Sequence, residues 1–159
     1  MAKQHTVPEL PLNSGVTIPQ FGVGAFLLPP NQTEKLILSA LEVGYRHIDT
    51  AAMYENEVEV GRAINRSQIA REDIYLTTKV RNSDHGFQNT KQAFRKSLVY
   101  LQTDYLDLYL IHWPAPGRGL FEETWSAMME LQGEVLVNSI GVCNFEPVHL
   151  EAIMALGAI

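Results

Sequence analysis

Four polar side chains stand at or near the ends of apolar runs in this sequence, and together they could move a proton. Asp49 closes "YRHID", Lys79 closes "IYLTTK", His112 closes "YLDLYLIH", and Tyr54 follows Asp49 in "TAAMY". A tyrosine with an ordinary pKa near 10 is a poor acid at neutral pH unless its phenolate is stabilised. An ammonium within about 4–6 Å supplies that stabilisation, and a carboxylate paired to the ammonium holds it charged and in place. A neighbouring histidine can donate to a carbonyl oxygen and orient it. Asp, Lys and Tyr with a histidine therefore form a device for protonating a carbonyl oxygen as hydride reaches the carbon. No side chain donates hydride, so the scheme requires a nicotinamide or a flavin.

Each residue also has a quieter explanation. Asp49 could cap the helix that follows, and Tyr54 could be a loop aromatic. Lys79 could reach from a strand end to water, and His112 could be a core imidazole bonded to a carbonyl. Shared placement at successive strand ends favours the joint function.

That placement depends on a repeating unit. The spacing predicts strands over 20–24, 45–49, 74–79, 105–112 and 135–142, after a short hairpin in "ELPLNSGVTIPQ" turning at Asn13-Ser14-Gly15. Between them lie amphipathic helices. The first is expected to open at Asn31 with a capping box to Glu34, to bury Leu36, Ile37, Ala40 and Leu41, and to close at Gly44. The second runs from about Glu57 to Asn65. The third carries Phe94, Leu98 and Leu101, the fourth Phe121, Trp125 and Met128, and the fifth begins at Pro147 and ends near Gly157. Strand ends recur at intervals of 25, 30, 33 and 32 residues. Such alternation is the mark of a parallel sheet covered by helices, in a barrel or a doubly wound sheet, and in both the chemistry collects at the strands' C-terminal ends.

Composition narrows the classes. With 46% hydrophobic and 19% charged residues the chain is globular, and its net charge of −6 with no basic run argues against a nucleic-acid face. No apolar stretch suits a signal peptide or a membrane span, and the single Cys143 leaves no internal disulfide, so a cytoplasmic protein is expected. No linker interrupts the pattern, and residues 1–159 read as one domain. A metal-dependent hydrolase would need a His/Asp cluster; His47-x-Asp49 is the one candidate and has no third ligand at useful spacing, so no metal is expected.

"GYRHIDTAAMYENE", "YLTTKV", "DYLDLYLIHWP" and "SIGVCNF" resemble the signature segments of the aldo-keto reductases, in register across nearly the whole chain. "IPQFGVGAFLLPP" resembles the bacterial members that reduce 2,5-diketo-D-gluconate and similar small dicarbonyls. The resemblance implies a (β/α)₈ barrel that binds NADPH without a Rossmann domain and reduces aldehyde or ketone carbonyls to alcohols. It implies Tyr54 as general acid, Lys79 and Asp49 as the pair that tunes it, and His112 as the residue orienting the carbonyl. Gly24, Ala25, Asp49, Cys143 and Asn144 would meet the cofactor; Phe26, Tyr54, Arg81, His112 and Trp113 would meet the substrate. "GVG" at 22–24 is not a dinucleotide fingerprint, since Leu27 stands where its third glycine belongs. Cys143 replaces the family's usual serine, weakening one hydrogen bond to the amide. Arg81 stands where relatives often carry an aromatic; an anionic substrate would suit it, but a solvated loop arginine is the reading the residue type favours.

A barrel of this type takes about 250 residues, whereas this chain supplies about five of its eight βα units plus the hairpin. A fragment, a truncated product or a half-barrel completed by self-association through its open edges would each account for that. The 159-residue chain alone is expected to bind NADPH weakly and to show little activity. The competing function is a non-catalytic interaction module on the same scaffold.

Overall fold

Apolar runs that are buried on both faces belong in the interior of a parallel sheet. The computed structural model describes residues 7–157. In it a two-stranded antiparallel hairpin, β1 (Glu9–Pro11) and β2 (Thr17–Pro19), precedes a five-stranded parallel sheet. The sheet consists of β3 (Gly22–Gly24), β4 (His47–Asp49), β5 (Tyr75–Val80), β6 (Leu106–Ile111) and β7 (Val137–Val142), hydrogen-bonded in sequence order. Five of the six residues of β5 are buried. Residues 1–6 and 158–159 of the span expected as one domain lie outside the described residues.

Strand order separates the two architectures that periodicity leaves open. A doubly wound sheet reverses its order at a switch point and carries helices on both faces. Here the order never reverses. The helices α1 (Pro30–Glu42), α2 (Glu57–Arg66), α3 (Phe87–Leu101), α4 (Phe121–Gly133) and α5 (Pro147–Met154) pack each on the next. That is the winding of a barrel wall.

Local details depart from expectation at three places. Helix α1 starts at Pro30, a favoured first position, so Asn31 lies inside it and makes no capping box. Thr33 Oγ1 instead donates to the Pro29 carbonyl at 3.0 Å, and Glu34 pairs with Arg66 of α2. The missing cap is worth about 1 kcal/mol. Burial of Ile37 and Leu41, at roughly 1.5–3 kcal/mol each, outweighs it. The buried stripe is Thr33, Ile37, Ala40 and Leu41; Leu36 is exposed. Before β7, Val135 turns left-handed at φ 60 and is exposed, so the strand starts at Val137 rather than at Val135. Gly44, at φ 107, ends α1 in the conformation that glycine permits.

One continuous core joins the layers. Ile48, Leu76, Tyr109 and Ile111 of the strands meet Ile37, Phe94, Met128 and Leu131 of the helices. At Gly61 of α2 the backbone of Leu101 comes so near that a Cβ would lie 2.7 Å from it, which sets the α2–α3 spacing. Under the sheet, Asp107 accepts from Arg71 Nη2 at 2.9 Å, the Leu76 N–H at 2.9 Å and Asn138 Nδ2 at 3.2 Å. This carboxylate ties the N-terminal ends of β5, β6 and β7, so the opposite ends are fixed relative to one another.

Candidate active site

Strand register brings the expected polar residues to one rim. Gly24 pairs with Asp49, Asp49 with Thr77, and Lys79 with Leu110, two residues before His112. Lys79 is 5% exposed; its Nζ donates to Asp49 Oδ1 at 2.5 Å and to the Thr50 carbonyl at 2.9 Å. The same Nζ lies 3.5 Å from the Tyr54 hydroxyl. The Tyr54 ring stands edge-on to His112, centroids 5.6 Å apart at 78°, and is tilted against Phe26 at 5.1 Å. Asp49, Tyr54, Lys79 and His112 are thus brought together.

A 3₁₀ turn, Ala52–Tyr54, carries the tyrosine, and Glu55 closes it at φ 57. Asn56, which is fully buried, fastens this turn to the rim. Its Nδ2 donates to the Ala25 carbonyl at 2.9 Å and its Oδ1 accepts from Thr50 Oγ1 at 2.9 Å. These contacts of Thr50 and Asn56 were missed by sequence reasoning. An asparagine between Tyr54 and a helix start was the available signal, but it reads as an ordinary N-cap. Glu57, expected among the carboxylates of the following helix, is buried at its first turn and accepts from Thr78 Oγ1 at 2.7 Å; burial raises its pKa.

The remaining predicted site residues divide. Gly24 is exposed at the rim, and a Cβ there would meet nothing within 4 Å. Phe26 and Trp113 are exposed beside Tyr54 and His112 in sequence or space. Asn144, left-handed at φ 60, donates from Nδ2 to the His112 carbonyl at 2.8 Å. Cys143 is half-buried; burial pushes its thiol pKa up, with Lys79 pulling down and Asp49 up. Ala25 has no exposed surface, and its N–H donates to the Asp49 carbonyl at 2.8 Å, which ties the end of β3 to β4 at the rim. Arg81 directs its guanidinium to the Ala52 carbonyl, Glu55 and Asp84. Gly22–Gly24 is a strand, not a phosphate-binding turn. His47 Nε2 bonds Thr77 Oγ1 at 3.0 Å, and among the described residues no three His, Cys, Asp or Glu side chains group to hold a metal.

Burial sets the histidines. His112 has its pKa lowered by desolvation first and then by the Lys79 ammonium, against Asp49, and its Nδ1 is buried without a partner. His47 is lowered mainly by burial, and His85 by burial and then Arg118, against Asp84. Groups neutral in the folded state but titrating near 6.5 when unfolded contribute stability in full above about pH 6.5 and lose it as pH falls. Unfolding midpoints in urea are therefore expected to drop between about pH 7.5 and 5.5. Glu57 opposes this, because protonation relieves a buried charge. His85→Gln should flatten the slope by up to about 1.4 kcal/mol per pH unit. An unchanged slope would show that His85 does not contribute.

The model of the aldo/keto reductase family matches residues 20–158. An aldo-keto reductase of Mycolicibacterium smegmatis is 50% identical over 147 residues, covering 92% of this chain and 54% of that protein. The crystal structure of an aldo/keto reductase from Brucella melitensis superposes with a TM-score of 0.94 at 51% identity, covering 97% of this chain and 59% of the other. A mutant of Gox0644 crystallised in complex with NADPH gives a TM-score of 0.91 at 41% identity, over 97% and 56% of the two chains. The chain thus spans about half the length of the relatives it matches.

Proposed function

This chain belongs to the aldo/keto reductase family, and we propose that the protein reduces aldehyde and ketone carbonyls to alcohols with NADPH. The observation that carries this function is the Lys79 ammonium held between Asp49 Oδ1 and the Tyr54 hydroxyl. Tyr54 gives its hydroxyl proton to the carbonyl oxygen, and the ammonium 3.5 Å away stabilises the phenolate left behind. Asp49 keeps that ammonium in place, and the Thr50 carbonyl fixes its remaining direction. His112, kept neutral by burial and by Lys79, orients the carbonyl with its one N–H. Phe26, tilted against the Tyr54 ring, and Trp113, next to His112 in sequence, are the exposed aromatics that would line the substrate pocket.

The rim fits the nicotinamide end of the cofactor. Gly24 leaves open space at the end of β3, Asp49 keeps its carboxylate a third exposed, and the Asn144 amide stands at the end of β7 beside Cys143. These residues would hold the ring and its carboxamide, and the group supplies the hydride. The NADPH complex of the related Gox0644 mutant supports that choice. The substrate class best supported is small carbonyls, dicarbonyls of the 2,5-diketo-D-gluconate kind included, on the strength of the N-terminal sequence resemblance. Among the described residues β3 and β7 pair on one side only, and further barrel strands, from a longer protein or from another copy, would add there.

The test is loss of reduced-nicotinamide absorbance by the native gene product, with alcohol formed in equal amount, across a panel of small aldehydes, ketones and dicarbonyls. No turnover on any of them would favour a non-catalytic scaffold.

A further inference from the structure

The turn that carries Tyr54 is short and contains no glycine, and it closes on a left-handed glutamate. A non-glycine residue at positive φ holds that conformation only where its surroundings impose it. Asn56 fastens the turn from the rim side. From the opposite side comes Arg81, two residues past Lys79 on the same strand end. Its Nη2 donates to the Ala52 carbonyl where the turn begins. Its Nη1 lies 3.9 Å from Glu55 Oε1 where the turn ends, and its Nε lies 3.8 Å from Asp84 Oδ2. One planar guanidinium therefore spans both ends of the segment with Tyr54 between them, a geometry that a single ammonium cannot reproduce.

We propose that Arg81 is a positioning residue, which fixes Tyr54 at the Lys79 ammonium by bracing the 52–55 turn from behind. The inference rests on Tyr54 being the acid. Beside the turn lies an open cleft of about 320 Å³ whose lining includes Ala52, Glu55, Val58, Arg81, Lys96 and Tyr100, and the Arg81 side chain is a third exposed.

Arg81→Ala in the native gene product is expected to lower kcat roughly 10- to 100-fold, the range for a displaced reacting group. KM for an uncharged aldehyde should stay within about 2-fold. Amide exchange should quicken in peptides covering 51–55 and not elsewhere. Added guanidinium ion should restore part of kcat by entering the cleft, and Arg81→Lys should fall between the two. If Arg81→Ala does not fold, Arg81→Lys carries the same kcat and exchange measurements. Tyr54→Phe is the control: it should lose turnover without rescue by guanidinium. Full turnover in Tyr54→Phe would sink the acid assignment itself. Loss in Tyr54→Phe with unchanged kcat and exchange in Arg81→Ala would overturn the Arg81 proposal alone. So would a rise in KM confined to anionic substrates at constant kcat, because Arg81 would then be meeting the substrate.

Discussion

Tyr54→Phe is expected to reduce kcat for carbonyl reduction by roughly 10²- to 10⁴-fold, the share that a positioned general acid contributes. The substitution removes one oxygen and leaves the ring. That ring's packing against Phe26 at 5.1 Å and His112 at 5.6 Å does not involve the hydroxyl. The fold should hold to within about 0.5 kcal/mol, since no buried partner is orphaned: Lys79 keeps Asp49 and the Thr50 carbonyl. Cofactor affinity should be little altered, so a fluorescence titration with NADPH separates a chemical defect from a binding defect. Wild-type turnover in this variant would mean that another group, with His112 the nearest aromatic donor, protonates the carbonyl. A parallel loss of NADPH affinity would mean that Tyr54 acts as packing for the cofactor rather than as an acid.

Asp49, Lys79 and His112 could be picked out from sequence because each ends an apolar run, and Tyr54 because it follows the first of them closely. A strand's C-terminal residue is marked by the change from apolar to polar, and parallel pairing in sequence order then places those ends side by side. The strand positions, the helix faces of α3 and α4 and the Pro147 start of α5 follow from the same local signals. What local pattern could not supply was any partner choice made across the fold. Glu34 looks like a capping residue until α2 brings Arg66 beside it. Leu36 belongs to an apolar stripe, but Thr33 takes the buried place because its hydroxyl can bond back to the Pro29 carbonyl. Nothing local to Arg81 announces its contacts to Glu55 and to the Ala52 carbonyl, 29 residues away in the chain. Periodicity could count βα units, but only strand order and helix-on-helix packing distinguish a barrel wall from a doubly wound sheet.

The second large effect concerns Lys79, where fold and chemistry can be separated by changing two residues. Lys79→Met is expected to lower kcat roughly 10³-fold, because the Tyr54 phenolate loses the one ammonium beside it. It should also destabilise the protein. Removing one member of a buried pair costs about 3–5 kcal/mol when the remaining charge is sealed from water. The Asp49 side chain is 33% exposed and keeps some hydration, so the lower end of that range or less applies. The Thr50 carbonyl loses its Lys79 donor as well. Adding Asp49→Asn to Lys79→Met removes the stranded charge and should recover most of the lost stability, a coupling that a double-mutant cycle in urea would read directly. It should not recover turnover, because no cation returns to the hydroxyl. The cycle thus separates the two roles of one side chain, because the second substitution restores stability and leaves kcat where Lys79→Met put it. If the double variant regained activity along with stability, Lys79 would matter only by holding the rim, and the proton-transfer assignment of Tyr54 would need another source of charge.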